Sequence, residues 1–373
     1  MYIYITIILF CFLLSTVKLP KSIENSALVL IALFLCFGYM TGTDWYNYEK
    51  YYYNKSLAEG ISKTREFGYF YLQTAIEELG VNFWIFHITI KVLVFYSLIK
   101  FIRKFDVNIF LFLALFIPEA GFYLFIDCPF RNLIAFGFCL IAFHKLFENK
   151  IYSFFIYVFI AINFHASAMV MLLLFFVYKK DLKTAFVLGA TLIIYSLAFN
   201  IEFLITSIYT PLIKISPTLG ERFKEYLLNT RFISHDFNIG SYIRIMILLI
   251  LLLFKEKIIS EVKNRPYILT FSFILLMLYP LGVSLKILQR FILYLFPFYT
   301  LSILYLLKSI QVKTNIYILS LLFVSFSLMQ TYKTVSKDYR YVPYTNYLIY
   351  SIQNNFPPLE YRHQYNHKNS PYK

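Results

Sequence analysis

Apolar runs recur along this chain from its first residue to about residue 330, and short polar connections separate them. Few folds accept such a pattern. In lipid every backbone N–H and C=O must find a partner within the protein, which leaves helices or closed barrels. These runs are continuous rather than alternating, and many approach the roughly 20 residues that a spanning helix needs. They lie at about 1–17, 26–41, 81–101, 107–125, 132–147, 151–163, 166–178, 184–200, 241–254, 266–284, 290–307 and 314–330. Across 373 residues, 60% are hydrophobic and 15% charged, whereas a soluble domain is near one half and one quarter. The expectation is an all-α, polytopic integral membrane protein, one domain over 1–373, with about twelve transmembrane helices (roughly ten to fourteen).

The basic residues orient it. Lys18 and Lys21, Arg103 and Lys104, Lys145 and Lys150, Lys179 to Lys183, Lys255 to Arg265, and Lys308 and Lys313 fall in every second connection. The positive-inside rule makes those connections cytoplasmic. Residues 42–80, 118–131, 164–165, 201–240 and 285–289 then face outward, and so does the basic tail 331–373, against the charge rule. Two outer stretches, 42–80 and 201–240, are long, and long connections in compact proteins usually serve a function. The net charge of +15 is met by loops on anionic lipid. Without a basic stripe or zinc spacing it does not point to nucleic acid. Four cysteines, three of them in apolar runs, form neither a disulfide framework nor a zinc site. The N-terminal run has no basic segment before it and no cleavage site, so a first span is expected there rather than a signal peptide.

A few polar residues need a reason. In Gly42-Thr43-Asp44-Trp45-Tyr46-Asn47-Tyr48 the aromatics suit an interface, but Asp44 costs free energy at the membrane edge unless its charge is used. Arg131 and Asn132 open the fifth run, Arg244 lies near the outer end of the ninth, and Arg290 begins the eleventh. One such arginine would merely snorkel. Three on one membrane face offer planar forks to an anionic phosphate group. His165 divides two half-length runs, which predicts a hairpin of short helices with Asn163, His165 and Ser167 at its outer turn. There it is either a packing residue or an acid, base or ligand. Glu66 and Arg222 are the polar candidates of the two long loops. No metal-site spacing, Ser-His-Asp order or Gly-rich phosphate loop is present, so neither metal nor cofactor is expected.

Taken in order, these elements resemble the EpsG-like family, Wzy-type polymerases of exopolysaccharide, O-antigen and capsule repeat units. Gly42-Thr43-Asp44-Trp45 with Tyr48 resembles its Gly-Thr-Asp-aromatic signature, and Glu66-Phe67-Gly68 its E-x-G element. Phe130-Arg131-Asn132-Leu133-Ile134-Ala135 resembles its RQxxA, Asn163 to Ser167 its FHxS, and Arg290-Phe291 with Tyr294 a C-terminal R-F-x-x-Y. Two departures stand out. The arginine often found just before the signature is missing from Gly38 to Thr41, and Asn132 replaces glutamine while keeping an amide.

The resemblance implies a GT-C-like helical fold in the bacterial cytoplasmic membrane. It implies a polyprenyl-diphosphate-linked oligosaccharide as substrate, glycosyl transfer on the outer face, and a flippase and chain-length regulators as partner proteins. Arg131, Arg244 and Arg290 would then neutralise the leaving diphosphate without a metal. Asp44, or less favoured His165, would take the acceptor hydroxyl proton. Trp45, Tyr48, Glu66, Asn132 and Arg222 would contact sugar. A flippase would grip the same diphosphate, but the chain lacks the internal repeats common in transporters. An O-antigen-ligase-like transferase shares the chemistry, whereas an acyltransferase would centre on a histidine facing the cytoplasm.

Overall fold

The computed structural model describes residues 1–54, 67–217, 220–221, 239–262, 266–310, 313–336 and 340–369. Among them helix is the dominant secondary structure and no strand forms. It divides into two compact units, Met1–Met171 with Lys313–Lys373, and Leu172–Val312.

The first unit opens with α1 (Tyr2–Ser15), α2 (Lys21–Cys36) and α3 (Trp45–Tyr53), followed by α4 (Phe67–Glu78) and α5 (Phe83–Ile102). Helix α6 (Ile109–Phe116) runs on into π-helical turns at Ile117–Gly121 and Tyr123–Asp127. Pro118 brings no N–H to the first of these turns, and such widened turns cluster at functional sites. Helices α7 (Phe130–Phe147) and α8 (Ile151–Phe164) follow. Side-chain caps set two of the starts: Asn82 accepts from Trp84 N–H at 2.8 Å, and Asn108 accepts from Phe110 and Leu111 N–H at 3.0 Å. Helix α7 packs between α5 and α8 and forms the centre of the unit.

Helix α9 (Val170–Phe175) leads into the second unit, which holds α10 (Thr184–Phe199), α11 (Ile201–Ile215), α12 (Ile239–Leu253), α13 (Lys255–Glu261), α14 (Tyr267–Ser284), α15 (Lys286–Ile292) and α16 (Phe296–Lys308). Its core is α14, packed on α10 and α16, with Ser272 and Ser302 hydroxyls 2.6 Å apart at the α14–α16 contact. The chain then returns to the first unit as α17 (Lys313–Val335), α18 (Tyr347–Gln353) and α19 (Leu359–Asn369).

Among the described residues, five helical stretches are long and apolar enough to cross a membrane: Phe83–Ile102, Phe130–Phe147, Tyr267–Ser284, Leu288–Lys308 and Ile316–Val335. A sixth is reached if α10 and α11, bent by 92°, count as one. Five shorter apolar helices among the described residues take up other runs, and with the full-length ones they make this an integral membrane protein. Two further stretches gain structure. Residues 201–215, assigned to an outer loop, are helical, because Ile201, Leu204, Ile205 and Leu212 recur at helical spacing. Beyond α17 the tail bonds to the end of α2. Gly38 and Asn346 form an antiparallel bridge pair, Tyr347 N–H donates to Phe37 C=O at 2.8 Å, and Tyr344 OH donates to Phe34 C=O at 2.7 Å. These bonds lay residues 340–356 over the C-terminal end of α2.

Candidate functional site

The site is built where α2 ends. Met40 and Gly42 both take positive φ, 53° and 84°, and turn the chain sharply into α3. A Cβ on Gly42 would lie 2.3 Å from the backbone oxygen of Asp127, so only glycine fits. Its N–H donates to Arg340 C=O at 2.7 Å. Thr43 donates to Asp127 Oδ1 through N–H at 3.3 Å and through its hydroxyl at 3.4 Å. Asp127 Oδ2 in turn pairs with the Arg340 guanidinium at 2.9 Å. The carboxylate of Asp127, nearly buried, thus ties the 42–43 turn to a residue 213 positions away.

Asp44 stands at the N-cap position of α3, half-buried, where the free N–H groups and the helix dipole favour an anion. One turn on, Tyr48 OH accepts from Arg131 Nε at 3.3 Å and lies in the field of both Arg131 and Asp44. Burial outweighs the guanidinium and pushes the Tyr48 phenol up to about 12, so it stays a neutral hydrogen-bonding group. Arg131 is positioned by the break before α7. Cys128 takes a left-handed conformation (φ 52°), and Pro129 after it keeps the chain from continuing as helix. Burial also pushes the Cys128 thiol up to about 12, which makes it no nucleophile near neutrality. Asn132 is buried on the first turn of α7.

The other motifs converge here. Tyr69 packs against Tyr48 (5.4 Å between ring centroids) and Phe130 (5.9 Å). Gly68 lets α4 approach the C-terminal end of α8, where a Cβ would stand 3.1 Å from Asn163 C=O. Gly68→Val is therefore expected to destabilise the protein by about 1–3 kcal/mol, read as a lower thermal unfolding midpoint in detergent. His165 ends α8 with an extended backbone and caps the 3-10 turn Ala166–Met169, its Nδ1 accepting from Ser167 N–H at 3.2 Å. With Nδ1 an acceptor, neutral His165 carries its proton on Nε2.

Behind these groups Glu49 is buried, held by Arg362 at 2.8 Å and by the Trp84 indole N–H at 2.9 Å. The rings expected to stack on sugars are turned inward. Trp45 is 1% exposed and packs on Trp84 at 5.3 Å, and Tyr48 is covered by Tyr69 and Phe130. On α3 it is Tyr46, Tyr51 and Tyr53 that keep an outward surface.

In the second unit, Arg244 is buried on α12, its guanidinium 3.8 Å from the centroid of Tyr279 and donating to Gly240 C=O at 3.2 Å. Arg290 is exposed on α15. Glu66 and Arg222 lie outside the described residues. Among the described residues no three of His, Cys, Asp and Glu come together to hold a metal ion. Sequence reasoning missed Asp127, Arg340 and the Glu49–Arg362 pair. The tail residues carry no local signal, while Asp127 had one in its place beside Pro129 and Arg131.

A family model described as EpsG family matches residues 24–346, from α2 to the bridge at Asn346. No curated protein and no solved structure matches the chain.

Proposed function

The chain belongs to the EpsG family, and from that premise we propose that it is a glycosyltransferase joining polyprenyl-diphosphate-linked oligosaccharide repeat units into a surface polysaccharide. The reaction is placed on the outer face of the bacterial cytoplasmic membrane, in a GT-C-like helical frame. One observation supports it above the others: the Gly42–Tyr48, Gly68–Tyr69, Phe130–Arg131 and Asn163–His165 elements meet at one end of one helical unit.

In the proposed step, Asp44 takes the proton of the acceptor sugar hydroxyl. The hydroxyl oxygen bonds to the anomeric carbon of the growing chain. The bond from that carbon to the diphosphate breaks, and the lipid diphosphate leaves with the electron pair. Arg131 stabilises that anion in a water-poor site. Arg244 and Arg290 carry the same proposed role on sequence grounds. His165 suits a donor better than a base, because its Nδ1 already accepts and its Nε2 holds the proton. Sugar contact is assigned to Glu66 and Arg222, with Tyr46 and Tyr51 as the stacking rings, because Trp45, Tyr48 and Asn132 are all buried.

The test is a polysaccharide gel from cells lacking the gene and complemented with wild type, Asp44→Asn or Arg131→Ala. Each variant is expected to cut long-chain product about 100-fold and to leave single repeat units on an intact carrier. Repeats trapped on the inner leaflet would mean flipping instead, and full-length polymer from both variants would remove these residues from the site. Arg340→Ala, which takes the guanidinium away from Asp127, is expected to reduce chain synthesis on the order of tenfold, since small misplacements of a reacting group are costly. Arg340→Lys should recover part of it, and limited proteolysis should cut residues 340–369 faster in the alanine variant.

A further inference from the structure

At the end of the first unit away from Asp44, a groove between α2 and α5 combines apolar walls with a cationic mouth. The helix directions fix which end this is. Helix α2 delivers the chain to Gly42, and α5 starts beside the aromatic ladder, where Phe83 N–H donates to Tyr53 OH at 3.1 Å, and runs away from it. The groove encloses about 560 Å³, and Leu28, Ala32, Val92, Phe95 and Ile99 are among the residues that wall it. Asn25, Lys100, Arg103 and Lys104 close its far end.

From Val92 to Ile102 the groove follows ten helical steps of α5, roughly 15 Å at 1.5 Å per residue, and Arg103 and Lys104 lie just past the helix end. That length is close to one leaflet of a hydrocarbon core about 30 Å thick. Val29, Leu93 and Tyr96 beside it are exposed apolar side chains of a kind that face lipid.

The mouth holds positive charge to spare. Glu24 and Asn25 engage Arg103, at 2.7 Å and 2.8 Å. Glu148, at the adjoining end of α7, takes His144, Lys145 and Lys150, and the Phe101 and Phe147 rings, 6.4 Å apart, bring the two helix ends together. Among the described residues no ion pair engages Lys100 or Lys104, and both are exposed.

We propose that this groove binds one anionic diacyl phospholipid of the leaflet opposite the Asp44 site, its acyl chain along Leu28, Ala32, Val92 and Phe95 and its phosphate at Lys100 and Lys104. The two halves of the groove select the ligand together. Free phosphate would leave the apolar walls bare, and a zwitterionic lipid would answer the lysines poorly. The lipid-linked substrate of the proposed reaction has its diphosphate at the other end of α5, so the groove is a separate site and stands independently of that reaction.

The test uses the full chain in phosphatidylcholine nanodiscs and follows retention of phosphatidylglycerol by native mass spectrometry. One phosphatidylglycerol is expected to be retained per protein. Lys100→Gln/Lys104→Gln, which spares the Arg103–Glu24 pair, should weaken retention about 30-fold. Ala32→Phe fills the groove with its charges intact and should weaken retention at least tenfold as well. Unchanged unfolding midpoints in phosphatidylcholine establish that the variants fold; if Ala32→Phe does not, Val92→Trp reads the same arm. Retention unaffected by either change overturns the proposal. So does loss in the lysine variant alone, which would mean a headgroup held at the surface, or displacement of phosphatidylglycerol by equimolar undecaprenyl diphosphate, which would make the groove a polyprenyl site.

Discussion

Replacing Gly42 with alanine is expected to abolish polymer formation and to destabilise the protein by upwards of about 2 kcal/mol. Two costs add. Alanine is strained at φ 84°, and its methyl would meet the Asp127 backbone oxygen at 2.3 Å, a backbone contact that no rotamer change can relieve. The carbonyl cannot withdraw without disturbing the Asp127 carboxylate that holds Thr43 and Arg340. Asp44, two residues on from Gly42, moves with the turn. The readouts are the polysaccharide gel and the thermal unfolding midpoint of the purified protein. A variant with wild-type polymer would show that the turn does not set the position of Asp44.

The second large effect lies behind the site. Glu49→Ala leaves the Arg362 guanidinium partly buried without its carboxylate, and the Trp84 indole N–H without its acceptor. Breaking a buried pair from one side costs about 3–5 kcal/mol, because the remaining charge stays desolvated. Glu49→Gln keeps an oxygen for Trp84 and should lose less. A double-mutant cycle with Arg362→Met separates the pair from its surroundings: the double variant is expected to be more stable than Glu49→Ala alone. Additive losses would mean that the two side chains do not depend on one another. The same cycle tests whether α19 is held down, since Arg362 links it to α3.

Much of this protein is legible one residue at a time. Long apolar runs leave a chain in lipid little choice but helix, because only helix closes every backbone hydrogen bond locally. The end of α8 at His165 was also readable, since Asn163, His165 and Ser167 interrupt an apolar stretch. The number of full-length spans was not. Hydropathy does not register the π-helical turns that follow α6 around Pro118, inside a run that looks continuous. Helix α11 was overlooked because its apolar residues follow a helical period inside a stretch judged by length.

The site divides in the same way. Sequence alone determined which residues to examine, because an acid, arginines and a histidine in apolar surroundings cost free energy that something must offset. It determined nothing about which rings face inward: Trp45 and Tyr46 are neighbours of similar chemistry, yet helix α3 turns the first onto Trp84 and leaves the second an outward surface. Only the tertiary structure joined Asp127 to Arg340 and Glu49 to Arg362. An ion pair between residues 213 or 313 positions apart leaves no periodicity in the chain, and it exists only because packing brings the tail back over the end of α2.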